Sequence, residues 1–507
     1  MNSKIWTRIV ALTLFAALAL PLQLAAQSPA QPQHQYHHYQ ILDPGTFGGP
    51  SNGQANFGGR AGFLNNSGTL VGYAETPAVD PYCGNGGTCN AGDAFQYEDG
   101  VTTDLGRLPG GISSQANWIS GNGLIAGLGD DGILDPLAGF PIPHLHGLLW
   151  KNGIMTDLGT LPEGGNLIFP IGVNNRGEVV GAAQNTVPDP NSLLTGYGTQ
   201  TRAFYWIDGV MQDLGTLGTG TNATAALINE RGQVVGLSYT NSSPTGASNC
   251  TNVGLAFTTG SFLWDQKSGM RDIGGLGGTC TIAQDFNNRG QIVGGSALPG
   301  DSVMHPFAWD AKSGMTDLLG ASNTDYGFPE SENARGDVAG GTCGPVTCSA
   351  LLWRKTGGQW KTVHLGMIAG FGFAISINSS DQVIGNCGAN INCTFLWENG
   401  GPMVNLISLL PPNTGIDLYE VSQINNRGEI AVQGTDADGN NHAVLLIPCD
   451  ENHPGVAGCD YSMVDASNAA SRPSPGVSGA SSRTLPQSLT RRMSRYRVPG
   501  FGASQRN

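Results

Sequence analysis

The stretch Val173-Asn174-Asn175-Arg176-Gly177-Glu178-Val179-Val180-Gly181 constrains this chain more than any other feature, because it returns along almost the whole length. Asn174 and Gly177 stand three apart between apolar flanks, the placement of the first and last residues of a type I turn. The β-branched Val179 and Val180 then suit a pleated strand better than a helix. The unit therefore reads as strand, tight turn, strand. Clear copies begin at Ile228, Phe286 and Ile424, and weaker ones at Leu64, Ile119, Glu332 and Ile377, which makes eight. Marked by Gly68, Gly123, Gly177, Gly232, Gly290, Gly336, Asp381 (standing where Gly should be) and Gly428, the successive steps are 55, 54, 55, 58, 46, 45 and 47 residues. A period of that order with several short strands per repeat points to a β-propeller, since most solenoids use shorter units.

A second motif is interleaved in phase: an apolar strand ending in Trp, a turn, and a strand ending in Asp-Leu-Gly, as in Gly147 to Trp150, Asn152-Gly153 and Asp157 to Gly159. Asn-Gly and Asp-Gly between apolar runs are strong hairpin signals. Each repeat thus supplies about four strands. Trp150, Trp206, Trp264, Trp309, Trp353 and Trp397 share one phase of the repeat, so they read as structural core; Trp118 and Trp360 are out of phase and read as exposed contacts. Tyr39 to Asp43 resembles an Asp-Leu-Gly strand with no Trp strand before it, and His442 to Ile447 a Trp-type strand with no Asp-Leu-Gly strand after it. The two ends are complementary. A first strand that completes the last repeat closes the array and leaves no open sheet edge. The expectation is an all-β, closed propeller of about eight four-stranded blades spanning residues 39–448.

Lys4 and Arg8 precede an apolar run from Ile9 to Leu24 and then Ala25-Ala26-Gln27, the layout of a secretory signal peptide over residues 1–26. The run is short for a membrane span, so no span is expected after signal removal. Residues 27–38 read as a polar linker, with its histidines solvated, and residues 449–507 as a disulfide-stapled end followed by a disordered Arg/Ser-rich tail. Between the Val-Val-Gly and Trp strands the connection is long in the first four repeats and short in the last four, which predicts a raised rim on half of one face. A net charge of −14 argues against a nucleic-acid partner, because phosphate binding needs a basic surface.

Ten cysteines behind an export signal imply a disulfide framework. Pairing by proximity joins Cys83 with Cys89, Cys343 with Cys348, Cys387 with Cys393 and Cys449 with Cys459, leaving Cys250 with Cys280; zinc is disfavoured there because no His stands at ligand spacing. His146, His305 and His442, with Arg202 once, recur immediately before the apolar part of the Trp strand, which argues for a structural hydrogen bond in each blade rather than a catalytic base. His144 and His146 lie two apart and share a strand face, the spacing of metal ligands, but the sequence assigns no metal, no cofactor and no catalytic residue. Asp436 to Asn440 opens like a calcium loop but lacks the closing Glu, so a hairpin turn is expected. No nucleophile elbow, phosphate loop, His-Glu-x-x-His helix or sialidase box is present. The Asp of Asp-Leu-Gly (Asp104, Asp157, Asp213, Asp272, Asp317) is placed by the repeat and reads as a turn residue.

These motifs resemble the HAF family of bacterial extracellular repeat proteins, called after a His-Ala-Phe motif. Here that motif stands as His442-Ala443-Val444, His305-Pro306-Phe307 and Arg202-Ala203-Phe204, beside Asp213 to Leu217 and Ile228 to Gly236. Glu332 to Gly340 and Asp381 depart from the pattern. The resemblance covers about residues 39–448 and implies export and a repeat fold, without a reaction or ligand. The reading is a secreted, monomeric binding or scaffold module at or outside the cell envelope, in periplasm, medium or cell surface, with carbohydrate or another envelope polymer as the partner class. An extracellular polysaccharide hydrolase or lyase, using carboxylates at the channel mouth, is the alternative, and a purely structural surface protein the third.

Overall fold

The computed structural model describes residues 34–54, 62–82, 89–138, 141–193, 198–242, 258–301, 303–320, 326–344, 347–388 and 393–466. Eight four-stranded antiparallel sheets follow one another as the blades of a propeller. Blade 1 occupies residues 52–104, and blades 2 to 7 occupy 114–157, 168–213, 223–272, 281–317, 326–366 and 372–405. Blade 8 takes Asp417–Ile424, Ile430–Thr435 and Asn441–Pro448 and receives its outer strand, Tyr39–Leu42, from the opposite end of the chain. The first strand completes the last blade as the complementary ends predicted. Blades 6 and 7, where the motif departs, are regular; Asp381 adopts φ +63° and so performs the turn that Gly performs elsewhere.

The Val-Val-Gly glycine exists for space. A Cβ on Gly236 would stand 2.1 Å from the Thr224 carbonyl oxygen on the inner strand and 2.5 Å from the Phe262 ring on the third strand. Gly181 meets Phe169 and Phe204, and Gly385 meets Phe373 and Phe395, in the same way. The Phe of His-Ala-Phe is thus the partner of the Gly of Val-Val-Gly across the sheet. Blade 8 tests the relation internally: Val444 replaces the Phe, and Val432 opposite replaces the Gly. Volume is conserved across the pair, as close packing requires. The in-phase tryptophans are all buried, Trp353 completely.

The Asn of the repeat joins blades as well as turning the chain. Asn425 Oδ1 accepts the N–H groups of Arg427 and Glu429 at 2.9 and 3.0 Å, closing its own turn. Its Nδ2 donates to the Asn65 carbonyl of blade 1 at 2.9 Å, across 360 residues of sequence. Asn174 donates to Asn229 O, Asn229 to Asn287 O, Asn333 to Asn378 O and Asn378 to Asn425 O. Asn65 reaches Ser120 O, Asn122 takes over the role where blade 2 has Ser120, and Asn287 donates to the Glu332 carboxylate. The belt closes around all eight junctions. A carboxamide accepts from its own turn through the oxygen and donates to the next blade through the nitrogen. Arg176 and Arg427 add a second reach, to Glu230 O and Ser67 O.

A two-stranded sheet of Gln35–His37 and Met463–Asp465 lies beside this frame, with Tyr36 fully buried and donating to Pro402 O. Part of the polar segment before the propeller and part of the aperiodic segment after it are therefore ordered together, a long-range pairing that no local periodicity signals.

Candidate functional site

The connections between second and third strands separate the blades into two groups. In blades 1 to 3 the second strand runs 10 or 11 residues, as Leu70–Asp80, Ile125–Leu134 and Val179–Pro188, and its partner returns alongside it. In blades 4 to 8 the equivalent strand has 6 residues. Blades 1, 2 and 3 thus raise three β-hairpin arms above the sheets. The long connection expected in blade 4 lies outside the described residues in its middle part. Blades 6 and 7 close the same connection with disulfides, Cys343–Cys348 and Cys387–Cys393, while Cys449–Cys459 ties the segment after the last strand. Cys89 and Cys280 are also disulfide-bonded, but Cys83 and Cys250 lie outside the described residues.

The arms are anchored by a repeated aspartate. Asp189 Oδ2 accepts from Thr221 Oγ1 and Asn222 Nδ2 of the next blade, both at 2.8 Å, and Asp135 Oδ1 accepts from Asn166 Nδ2 at 3.0 Å. Both carboxylates are buried. Beside these anchors the arms expose large apolar side chains: Val79 (64%), Ile133 (60%), Leu134, Leu137 and Val187. Such residues on a tethered scaffold are placed for contact rather than for the core.

In blades 2, 3, 5 and 8 the recurrent His, or Arg once, meets the recurrent Asp. His146 Nδ1 stands 2.7 Å from Asp157 Oδ2, His305 Nδ1 2.9 Å from Asp317 Oδ2, and His442 Nδ1 2.7 Å from Asp43 Oδ2; Arg202 Nε donates to Asp213 Oδ2 at 2.8 Å. The other carboxylate oxygen caps the turn: Asp157 Oδ1 accepts from Gly159 N and Asp43 Oδ1 from Gly45 N. One aspartate thus holds its own turn and the neighbouring strand, a structural role. The neighbouring Asp157 carboxylate raises the His146 pKa against the effect of burial, and Asp43 does the same for His442. Burial pushes Asp43 up, but His442 and its hydrogen-bond donors hold it below the ordinary value. In blade 2 this pattern also includes Asp131, as blade 8 includes Asp436, and blade 2 adds His144; sequence spacing singled out His144, whereas Asp131 comes from the opposite strand and only the hairpin register places it there.

Two acids occupy the inner strands, Glu330 in Tyr326–Glu332 and Glu420 in Asp417–Ile424. Burial pushes Glu330 up to about 7 and raises Glu420 as well. Both side chains are half-buried. Trp118 and Trp360, expected to be exposed, are half-buried against neighbouring apolar clusters, Trp118 because Gly62, joined to it by an isolated parallel bridge, lies against its ring. Asp436 caps a turn, accepting from Asp438 N and Asn440 N.

Neither a protein-family model nor a curated protein sequence matches the chain. Among solved structures it is similar to an oligogalacturonate lyase from Vibrio parahaemolyticus, at 9% identity and TM-score 0.38, covering 83% of this chain and 99% of that one. A post-proline cleaving enzyme from Rickettsia typhi (10% identity, TM-score 0.43) is matched over 80% of this chain and 58% of its own, and dipeptidyl peptidase 4 from Porphyromonas gingivalis (10% identity, TM-score 0.43) over 73% and 56%. The chain thus spans under two thirds of either peptidase. Among the described residues no helix is long and apolar enough to cross a membrane.

Proposed function

We propose that this propeller is an exported binding module of the HAF type that engages a carbohydrate or envelope polymer on the arms of blades 1 to 3. The observation that supports the reading is the asymmetry of one face: three hairpins prolonged beyond the sheets, two of them tied down by Asp135 and Asp189, and bearing the exposed Val79, Ile133, Leu134 and Val187. Exposed apolar surface disfavours a soluble chain unless it is covered by a partner. Disulfides in the shortened connections accord with an oxidising compartment.

The test is retention of the purified protein on bacterial and plant polysaccharides, with release of reducing or unsaturated ends followed in the same samples. Val79→Ser, Ile133→Ser and Leu134→Ser together should abolish retention and leave the unfolding midpoint unchanged; unaltered retention would remove the arms from consideration. A second reading, a polysaccharide hydrolase or lyase, is favoured by Glu330, whose pKa near 7 suits a general acid. Product release that disappears in Glu330→Gln would establish it in place of the binding module.

A further inference from the structure

We propose that Asp131, His144 and His146 form a binding site for a zinc-class divalent cation at the foot of the blade 2 arm. Three different signals converge there. His144 and His146 alternate with buried Leu145 on Pro143–Lys151, so both imidazoles face the same side of the strand. Asp131 comes from the paired strand Ile125–Leu134. Its Oδ1 is occupied by the Ile133 N–H at 2.8 Å, which leaves Oδ2 facing His144 Nδ1 at 3.1 Å and His146 Nε2 at 3.4 Å. The three donor atoms lie within 4.8 Å of one another. Ligands about 2.0–2.2 Å from a tetrahedral zinc ion are separated by about 3.3–3.6 Å, so the two gaps from Asp131 Oδ2, 3.1 and 3.4 Å, are close to those of a coordination shell.

The surroundings complete the arrangement. His146 Nδ1 sits 2.7 Å from Asp157 Oδ2, so the ring donates away from the site and presents Nε2 to the ion, the carboxylate–histidine–metal relation seen around bound zinc. Two carboxylates, Asp131 and Asp157, stand at the histidine pair and carry the charge that a divalent cation balances. All three ligand side chains are partly exposed, so the ion has access and a fourth position is open to water or to a ligand atom. Nitrogen and oxygen donors in this mixture favour zinc and its first-row neighbours over calcium or magnesium.

The repeat supplies its own control. In blade 8, Gly434 pairs with His442 as Gly129 pairs with His146, and Asp436 and Asp43 stand where Asp131 and Asp157 stand. The place of His144 is taken by Asn440, which donates to Asp436 Oδ2 at 2.9 Å. That blade keeps the structural pair and lacks the second imidazole. Blade 2 therefore carries more than the repeat requires. An ion here would link the outgoing and returning strands of the arm just below Ile133 and Leu134.

The experiment is calorimetric titration of the full oxidised chain, free of any affinity tag and stripped with chelator, with zinc alone. A visible cobalt spectrum provides a readout of coordination geometry. The expected result is one tight equivalent, a cobalt spectrum of low coordination number, and binding weakened at least tenfold in His144→Asn, which installs the residue that blade 8 carries at this position and so preserves the fold. Asp157→Asn should weaken binding by about 10- to 100-fold, and His442→Asn should leave it unchanged. No uptake at millimolar zinc overturns the proposal. So does uptake that survives His144→Asn or is lost in His442→Asn, since the ion would then sit on other histidines.

Discussion

Replacing Asn425 by Asp isolates the donor half of the inter-blade belt. The carboxylate is nearly isosteric and keeps both acceptor bonds within the turn, to Arg427 N and Glu429 N. It loses the two bonds that Nδ2 donates, to Asn65 O at 2.9 Å and to Glu429 Oε2 at 2.5 Å. Asn425, Asn65 and Glu429 are all buried. Each lost bond removes about 1 kcal/mol net, while the Asn65 carbonyl keeps the Gly68 N–H at 3.2 Å. The sum is about 2 kcal/mol before any repulsion between the new carboxylate and Glu429. A protonated Asp donates once, so the deficit should shrink as pH falls below neutrality, because burial and the Glu429 charge raise the new group's pKa. The assay is urea unfolding of oxidised protein followed by tryptophan fluorescence at pH 5.0 and pH 8.0, with Asn425→Asp beside wild type. A midpoint change equivalent to less than about 0.5 kcal/mol at the higher pH would refute the belt as a source of stability; an equal loss at both pH values would refute the donor argument specifically.

Further outcomes follow from the same geometry. Gly236→Ala should destabilise by about 1–3 kcal/mol through overpacking against Thr224 O and the Phe262 ring, measured by the same unfolding, whereas a small residue at Val432 in blade 8 leaves a void and is destabilising in the opposite sense of volume. Trp353→Ala, at a completely buried position, should lose about 3–5 kcal/mol. The ring-closing pair of His442 and Asp43 gives a pH signature. The folded pKa of His442 is raised, so its contribution is full below about 6.5 and is lost as pH rises through the raised value; that of Asp43 is lowered, so its contribution is present above about 3.9 and lost as pH falls. Unfolding midpoints of wild type minus His442→Gln should therefore be largest between those limits and decline on either side; a flat difference would sink the assignment. His453, which burial opposes but Glu429 and Asp450 raise, should add a smaller loss in the same alkaline direction, absent in His453→Gln.

The blades were legible in the chain because each is specified locally. Asn174 and Gly177 at turn spacing, Val179 and Val180 as strand residues, and Asp157-Leu158-Gly159 at the next turn all act within about a dozen residues. Even the ring closure was visible, since Tyr39 to Asp43 and His442 to Ile447 are two halves of a repeated unit. The exposure expected for Trp118 was not observed, because its cover comes from Gly62 ahead of the preceding blade's turn, a bridge between blades that no periodicity reports. The pairing of Gln35–His37 with Met463–Asp465 escaped notice for the same reason.

What the sequence by itself determined is the repeating element: a four-stranded blade, eight times, with ends made to complete each other, because hydrogen-bonded turns and alternating burial depend on near neighbours. What only the tertiary structure decided is everything carried between strands and between blades. The second function of each repeat Asn is to reach the next turn, and the small Gly of Val-Val-Gly matches a Phe across the sheet. Asp131 stands beside two histidines because hairpin register, not spacing along the chain, sets which side chains share a place. Those meetings depend on strand register and, for Asn425 and Asn65, on closing the ring, and distance in space is then no longer set by distance in sequence.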